Sequence, residues 1–379
     1  MIIALSQLNS TVGDLNGNAD LITDAIRKTK GKADIIVFPE MSLTGYPAKD
    51  LIFDSDFMKS THEILVEISK NIFDIIVLIG TIRKEYDKIY NTVAVIQSGK
   101  IIGFRDKTLL PTYDVFDEKR YFSSSKSIEP IKVNMYGDDV NLGIQICEDL
   151  WDTDYDIKVT DILNEKGADI IINLSSSPFY KGKIADRVEA VVSQAKKINK
   201  PYLYCNAIGY QEELIFDGQS FAVNKDGEII GSAKAFEEDI LFVNVFSQTI
   251  EYIHQLDQYE EIYKALSLGV KDYLKKTHHS KVVIGLSGGI DSALTAAIAA
   301  SALETKNIFG ISMPSKYSSD HSIRDAELLA SNLNINFDII KINDINKQFL
   351  SNLDLFLDES SSGLPEENLQ ARIRGNILM

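Results

Sequence analysis

Cysteine is scarce in this sequence, which contains only Cys147 and Cys205 in 379 residues. Two cysteines cannot form a disulfide framework, and such usage is typical of proteins that fold in a reducing compartment. No apolar run reaches the roughly 20 residues that a membrane-spanning helix needs. The N-terminus also lacks the charged segment of a secretory signal. We therefore expect a cytoplasmic protein that has no membrane partner.

Positive charge is in deficit as well. The sequence has 39 lysines and arginines against 55 aspartates and glutamates, which gives a formal net charge of −16. Proteins that bind nucleic acid or anionic membranes usually present a basic surface, so we expect neither partner. A small anionic ligand is not excluded, because it needs only a local positive site.

The pattern of apolar residues indicates an α/β protein with two domains, for which 379 residues provide enough length. Up to about residue 246, short β-branched runs alternate with amphipathic stretches, which predicts a layered α/β domain with mixed sheets. The predicted helices are 17–30, 56–71, 156–166 and 183–199. The predicted strands are 2–8, 34–38, 75–80, 91–97, 100–105, 140–146, 169–173, 202–206, 219–224, 228–232 and 239–245.

The pattern changes near residue 247. Apolar residues at helical spacing in 251–277 predict a helix that links the two domains and docks on the second. Strand 281–286, helix 291–304, strand 307–312, helix 320–333 and strand 336–341 then follow, which is the order of a doubly wound parallel sheet. We predict a first domain at 1–246, a linker and docking helix at 247–279, and a second domain at 280–379. A helical pattern is still running at Met379, so we expect the second domain to continue beyond it.

A glycine-rich turn joins the first strand and the first helix of the second domain. Gly288 and Gly289 let the backbone approach phosphate oxygens, serine hydroxyls flank them, and the helix N-terminus favours anions. Asp291 would repel a bare phosphate, so we interpret it as a Mg²⁺ ligand. A turn whose glycines serve only packing is the alternative. The predicted pyrophosphate site comprises Gly285, Leu286, Ser287, Gly288, Gly289, Ile290, Asp291 and Ser292.

Three reactive side chains follow predicted strands of the first domain: Glu40, Lys107 and Cys147. Glu40 can accept the proton of the Cys147 thiol, the thiolate can attack a carbonyl, and Lys107 can face the developing oxyanion. Each residue alone has an ordinary explanation. A strand-end carboxylate or ammonium is usually solvated, and a cysteine after an apolar strand is commonly core packing. The spacing alone does not show that the three converge.

The motifs around these residues resemble those of the nitrilase/amidase family. They are Phe38–Pro47, Asp106–Pro111 and Cys147–Trp151, and they occur in the order of that family. The resemblance covers roughly residues 1–246 and implies an α-β-β-α sandwich. It also implies that Glu40 is the general base, that Lys107 is the oxyanion stabiliser and proton donor, and that Cys147 is the acylated nucleophile.

The glycine-rich turn in the second domain resembles the ATP-pyrophosphatase family, whose members cleave ATP between the α- and β-phosphates. The two resemblances together are similar to the architecture of the glutamine-dependent NAD⁺ synthetase family, as are segments 111–122, 313–319 and 367–376. The resemblance then spans the whole chain. It implies ATP and Mg²⁺ as cofactors, glutamine and deamido-NAD⁺ as small-molecule substrates, and a homo-oligomer.

Further residues take on roles through this resemblance. Tyr113, Ser177 and Lys183 match positions that bind glutamine, and Asn368 and Arg372 match positions that contact deamido-NAD⁺. An enclosed path would carry ammonia between the two sites and keep it unprotonated. The family continues past the position of Met379 with further ATP and Mg²⁺ contacts, so we expect the sequence as given to hold only part of the synthetase site.

Three other functions stay open from the sequence. The first is a stand-alone nitrilase-type amidase with a vestigial nucleotide-binding module. The second is a non-catalytic nucleotide sensor, in which Cys147 would be unreactive. The third is another glutamine-fed ATP-pyrophosphatase such as a GMP synthetase, and the nitrilase-type first half together with residues 366–376 counts against it.

Overall fold

The computed structural model describes residues 1–353 and 364–379, which fall into two units, Met1–Ala265 and Leu266–Met379. The helices of the first unit are α1 (Leu15–Thr29), α2 (Ser55–Lys70), α3 (Glu118–Tyr121), α4 (Val159–Glu165) and α5 (Lys183–Ile198). Its strands are β1 (Ile2–Gln7), β2 (Ile35–Val37), β3 (Ile76–Glu85), β4 (Lys88–Gln97), β5 (Lys100–Asp106), β6 (Ile131–Met135), β7 (Asp138–Ile146), β8 (Ile170–Ser175), β9 (Tyr202–Asn206), β10 (Ile208–Gln211), β11 (Leu214–Asp217), β12 (Phe221–Val223), β13 (Ile229–Ser232) and β14 (Asp239–Asn244).

Two six-stranded mixed sheets form the centre of the first unit. Their strand orders are β14-β1-β2-β3-β4-β5 and β13-β12-β9-β8-β7-β6. In the first sheet β1, β2 and β3 are parallel, and in the second β7, β8 and β9 are parallel. Parallel strands have their carboxyl ends at the same edge of a sheet. Glu40 follows the carboxyl end of β2, and Cys147 follows the carboxyl end of β7.

The two sheets pack face to face because successive side chains of a strand point to opposite sides. Ile3 and Leu5 of β1 share one buried cluster with Ile144 and Ile146 of β7. The outer face of the first sheet packs on α1 and α2, and the outer face of the second packs on α4 and α5. The result is a four-layered α-β-β-α sandwich, so the fold implied by the nitrilase resemblance is confirmed.

The predicted helices of the first unit are confirmed to within three residues, and side-chain caps explain where two of them begin. The Asp14 carboxylate accepts from Gly17 N at 2.9 Å before α1. The Asp54 carboxylate accepts from Asp56 N and Phe57 N at 2.8 Å before α2. Such caps satisfy N–H groups that have no partner within the helix.

The strand prediction was incomplete in three places. It missed β6, β10 and β11, which are only four or five residues long and partly exposed. It also ended β3 too early and began β4 too late. These strands continue as a hairpin in which residues 84–88 are exposed and no longer show a buried apolar pattern. Short or solvated strands give a weak signal because little of their surface is buried.

The division between the units falls within α6 (Gln258–Lys276). The second unit contains β15 (Val282–Gly285), α7 (Ile290–Ala302), β16 (Ile308–Ser312), α8 (Asp320–Leu333), β17 (Asn336–Ile339), α9 (Asn343–Leu353) and α10 (Leu364–Leu378). Its three strands are parallel in the order β15-β16-β17, which confirms the predicted doubly wound sheet. The prediction did not include α9. No helix in the described ranges is long and apolar enough to cross a membrane.

Candidate active site and nucleotide loop

The side chains of Glu40 and Lys107 meet inside the first unit, beside Cys147. Lys107 Nζ donates to Glu40 Oε1 at 2.8 Å, and both residues are almost fully buried. Burial raises the pKa of the Cys147 thiol, the Glu40 carboxylate raises it further, and the Lys107 ammonium opposes both. The free thiol is therefore protonated and needs a base before it can act as a nucleophile. The Glu40 carboxylate, whose charge acts on the thiol, is the predicted base.

The Glu40 carboxylate is fixed by three donors. Asn91 Nδ2 donates to Oε1 at 2.7 Å, and the backbone N–H of Ser176 donates to Oε2 at 2.9 Å, in addition to the bond from Lys107. Charge-assisted hydrogen bonds of this kind hold a carboxylate in one orientation. The Glu40 carboxylate is thus held in one orientation by residues from three separate segments.

Cys147 occupies a strained turn at the end of β7. Its φ is +42°, in the left-handed region, and it begins a 3-10 helix at Cys147–Leu150. A non-glycine residue in this region carries strain and persists only where neighbouring contacts hold it. The Asp149 carboxylate supplies such contacts, because it accepts from Ile146 N at 3.2 Å and from Thr108 N and Leu109 N at 3.0 and 2.8 Å. Asp149 therefore ties the Cys147 turn to the segment that carries Lys107.

A second glutamate, Glu118, contacts Lys107 from the other side and was not predicted. Lys107 Nζ donates to Glu118 Oε1 at 2.8 Å, and Tyr46 OH donates to the same oxygen at 3.0 Å. Burial raises the pKa of Glu118 to about 7, with the Lys107 ammonium opposing and the Glu40 carboxylate adding to the shift. Lys107 therefore lies between the fixed Glu40 carboxylate and a second carboxyl group whose pKa is raised by burial.

We expect a Glu118→Gln variant to gain stability relative to the wild type as pH rises from 4.5 to 7. In this window Glu118 keeps its proton in the folded wild type. In the unfolded chain the pKa of Glu118 is 4.5, so the proton has been lost. The free energy of unfolding therefore falls as pH rises through the window, and glutamine removes this dependence. Melting temperatures of the two proteins across this pH range test it. A difference that stays constant, or that changes in the opposite direction, would contradict the assignment.

The predicted glutamine-binding residues line the same cavity as Cys147. This cavity has a volume of about 490 Å³, and Tyr113, Ser177 and Lys183 are among its lining residues. Lys183 Nζ lies 4.2 Å from the centre of the Trp151 ring, and burial lowers the pKa of this lysine. The structure therefore brings these residues together with the nucleophile.

Glu148 adds a carboxylate to this cavity that the sequence analysis did not assign. Tyr113 OH donates to its two oxygens at 3.1 and 3.0 Å, and Tyr155 OH donates to Oε1 at 2.9 Å. The cavity thus presents a thiol, a carboxylate and an ammonium group. No pattern in the sequence marks Glu148, since an acidic residue in such a position is ordinarily solvated.

The glycine-rich loop in the second unit has the geometry expected of a phosphate cradle. Gly288 has a φ of +82°, and a Cβ there would lie 2.3 Å from the carbonyl oxygen of Ser322. The hydroxyls of Ser287 and Ser292 are 3.2 Å apart, and Gly289 N donates to Ser287 Oγ at 3.2 Å. A cavity of about 390 Å³ adjoins the loop at Gly285, Leu286 and Ser287. The close approach at Gly288 is to the backbone of α8, which is what the packing alternative requires. The hydroxyls and the start of α7 are groups that suit the phosphates of ATP, and the ATP site stays a prediction.

The predicted metal ligand is exposed on the first turn of α7. Within the described ranges, no three His, Cys, Asp or Glu side chains are grouped so that they could hold a metal ion. Magnesium at nucleotide sites is usually held by one or two carboxylates together with phosphate oxygens and water. This role of Asp291 stays a prediction.

Asn368 and Arg372 lie on α10, and the structure does not bring them to the loop cavity. Both are exposed, and neither lines the cavity next to Ser287. Arg374, two residues further along α10, does line it and donates from Nε to the Met313 carbonyl at 3.1 Å. The predicted contacts of Asn368 and Arg372 with deamido-NAD⁺ stay predictions.

The fold and the site together define a carbon–nitrogen hydrolase unit joined in one chain to a nucleotide-binding unit. The carbon-nitrogen hydrolase family matches residues 2–255, and the NAD synthase family matches residues 262–379. The chain belongs to the glutamine-dependent NAD⁺ synthetase family. This assignment favours the two-part synthetase over the stand-alone amidase.

Relatives of known name support the assignment along the whole chain. The glutamine-dependent NAD⁺ synthetase of Synechocystis sp. is 41% identical, over 100% of this chain and 71% of that protein. The enzyme of the same name from Aquifex aeolicus is 37% identical, over 99% of this chain and 72% of that protein. A solved glutamine-dependent NAD⁺ synthetase from Acinetobacter baumannii, in complex with ADP, superposes with a TM-score of 0.92 at 34% identity, over 100% of this chain and 72% of that one.

Proposed function

We propose that the chain hydrolyses glutamine at Cys147 and that the ammonia released serves NAD⁺ formation at the glycine-rich loop. The observation that carries the proposal is the charge pattern of the Cys147 cavity. Glu148 and Lys183 present a carboxylate and an ammonium within one cavity, as a free α-amino acid requires. A simple aliphatic amide carries no charge that could pair with either group.

Substrate recognition follows from these charges. The ammonium group of glutamine pairs with Glu148, whose carboxylate Tyr113 and Tyr155 already orient. The carboxylate of glutamine pairs with Lys183, and Ser177 adds a hydroxyl beside it. The side-chain amide is then directed to Cys147, which gives the proximity that nucleophilic attack needs.

The hydrolysis proceeds in two steps. Glu40 accepts the thiol proton, Cys147 Sγ bonds to the amide carbon, and Lys107 Nζ stabilises the oxyanion. The carbon–nitrogen bond then breaks, the proton is delivered to the leaving nitrogen, and ammonia departs from a glutamyl thioester. Water next gives a proton to Glu40 and attacks the thioester. The carbon–sulfur bond breaks, glutamate leaves, and the thiol regains its proton.

The second unit consumes the ammonia. The backbone and hydroxyls of Gly285–Ser292 hold the phosphates of ATP, with Asp291 as a ligand of Mg²⁺, which neutralises phosphate charge when bound. The carboxylate of deamido-NAD⁺ attacks the α-phosphorus, and pyrophosphate leaves. Ammonia then attacks the acyl adenylate, so that NAD⁺ forms and AMP leaves. Asn368 and Arg372 hold deamido-NAD⁺ in this scheme. The enzyme acts in the cytoplasm as a homo-oligomer.

A coupled assay tests the proposal. NAD⁺ formation should require ATP and deamido-NAD⁺, and either glutamine or an ammonium salt should supply the nitrogen. Glutamate should appear in step with NAD⁺ only when glutamine is the donor. Hydrolysis of simple amides as fast as glutamine, with no binding of ATP or deamido-NAD⁺, would instead support the stand-alone amidase.

We expect Glu148→Gln to raise the KM for glutamine by about tenfold or more, the usual weight of a hydrogen bond to a charged group. The variant keeps the size of the side chain but loses the charge that pairs with the ammonium of glutamine. Steady-state ammonia release measures the effect. Hydrolysis of a small neutral amide serves as the control and should change little. An equal loss for both substrates would show that Glu148 acts on Cys147 and not on recognition.

A further inference from the structure

A fully buried ion pair lies next to Ser177, one of the residues that line the cavity containing Cys147. Arg187 of α5 and Asp217 of β11 are both 0% exposed, and Arg187 Nη1 donates to both carboxylate oxygens of Asp217 at 2.8 Å. Moving two charges out of water is costly, and a buried pair is weak evidence for a stabilising role. The contacts made by the rest of the guanidinium indicate another role.

The remaining nitrogens of Arg187 hold the loop that follows β8. Nη2 donates to the Ser177 carbonyl at 2.9 Å, and Nε donates to Ser177 Oγ at 3.3 Å. The N–H of Ser177 in turn donates to Asn206 Oδ1 at 3.0 Å. The amide, the carbonyl and the hydroxyl of Ser177 are therefore all tied to buried side chains, while Ser177 still lines the cavity.

Arg187 also influences Lys183, the residue that is proposed to pair with the α-carboxylate of glutamine. Lys183 lies four residues before Arg187 on α5, so the two share one face of the helix. Burial lowers the pKa of Lys183, and the Arg187 charge lowers it further. Asp217 counters that charge, and Gln219 Nε2 orients the Asp217 carboxylate at 2.8 Å.

We infer that Arg187 and Asp217 form a positioning pair, which fixes the Ser177 hydroxyl and with it the end of the cavity that receives the substrate α-carboxylate. The inference rests on the proposed hydrolysis of glutamine. Neither member of the pair is among the residues that line the cavity. Arg187 acts through Ser177, and Asp217 acts by holding Arg187. Only a guanidinium can bond Asp217 and both groups of Ser177 at once, because its donors form a planar fork.

The first test is Arg187→Lys, which keeps the charge for Asp217 but loses the fork. We expect the KM for glutamine to rise by about tenfold while kcat stays within about threefold, as for the loss of a positioned hydrogen bond to a charged group. Alkylation of Cys147 by iodoacetamide should keep its wild-type rate. Labelling by a glutamine analogue with a diazoketone in place of the amide should slow by about tenfold. Lys197→Met on the same helix removes an exposed ion pair with Asp161 and is the matched control.

A double-mutant cycle shows whether Arg187 acts through Ser177. We expect Ser177→Ala to raise the KM for glutamine. The KM of the double variant with Arg187→Lys should not exceed that of the more severe single variant, since both changes remove the same contact of Ser177 with the substrate. Additive effects would overturn the inference. So would a wild-type KM in Arg187→Lys, or an equal slowing with iodoacetamide and with the analogue.

Thermal unfolding separates positioning from folding. Asp217→Asn is a second variant that keeps the shape of the side chain, and it should show the same selective loss toward glutamine. If neither Arg187→Lys nor Asp217→Asn folds, the pair serves the fold and the inference is wrong. If the wild type itself neither hydrolyses glutamine nor reacts with the analogue, the proposed function fails first, which is a separate outcome.

Discussion

Glutamine hydrolysis is expected to fall by at least about 10⁴-fold in a Cys147→Ala variant, the order of loss seen when a covalent nucleophile is removed. Alanine has no atom that can form the acyl bond, and no other thiol lines the cavity that contains Glu148 and Lys183. Ammonia release from glutamine measures the change. Cys205→Ala is the matched control, because Cys205 is the other free cysteine and lies in the buried core of the sandwich. It should hydrolyse glutamine at nearly the wild-type rate.

Ammonium salts distinguish a lost nucleophile from a damaged protein. The Cys147→Ala variant should make NAD⁺ from deamido-NAD⁺, ATP and ammonium as well as the wild type does, because Cys147 has no part in adenylation. Glutamine should not replace ammonium in this variant. NAD⁺ formation driven by glutamine without Cys147 would contradict its proposed role.

Weaker ATP binding is the expected result of Gly288→Ala. The backbone at Gly288 has a φ of +82°, and the new Cβ would meet the carbonyl oxygen of Ser322 at 2.3 Å. A left-handed conformation alone costs a side chain about 1–2 kcal/mol, or roughly tenfold in affinity if the loop must restore it on binding. The clash with Ser322 backbone adds to this cost. We therefore expect calorimetric titration with ATP to show affinity reduced by at least about tenfold.

Gly31→Ala provides a control for the introduction of left-handed strain elsewhere in the chain. Gly31 has a φ of +73°, and a Cβ there would meet no atom within 4 Å. It lies outside the loop, so ATP affinity should equal that of the wild type even though the left-handed strain is similar. Unchanged ATP affinity in Gly288→Ala would show that the loop does not need its present backbone path to hold phosphates.

The sequence located those parts of the site that follow buried strands. Glu40, Lys107 and Cys147 each come after an apolar run, and the structure shows that β2, β5 and β7 end close to one another. A buried strand has a strong pattern, and a reactive residue at its end stands out against it. The glycine-rich loop was equally visible, because strand, glycines and helix follow one another directly along the chain.

The remaining members of the site come from tertiary convergence, which a single sequence does not display. Glu118 lies in the four-residue helix α3, and Glu148 in a short 3-10 helix, so neither sits in a periodic pattern. Arg187 and Asp217 are 30 positions apart and have ordinary neighbours, and their pairing appears only once the chain brings α5 and the end of β11 together. A single sequence does not show which charged residues are buried, because the burial of a charge depends on a partner that can lie far along the chain.

The most direct test of the account is to identify the covalent intermediate on Cys147. The enzyme is mixed with glutamine, quenched in acid during turnover and digested, and the peptides are then analysed by mass spectrometry. We predict a glutamyl adduct on the peptide that contains Cys147, formed with glutamine and absent after incubation with glutamate. Ammonia release without any adduct, or an adduct on Cys205, would contradict the thioester mechanism.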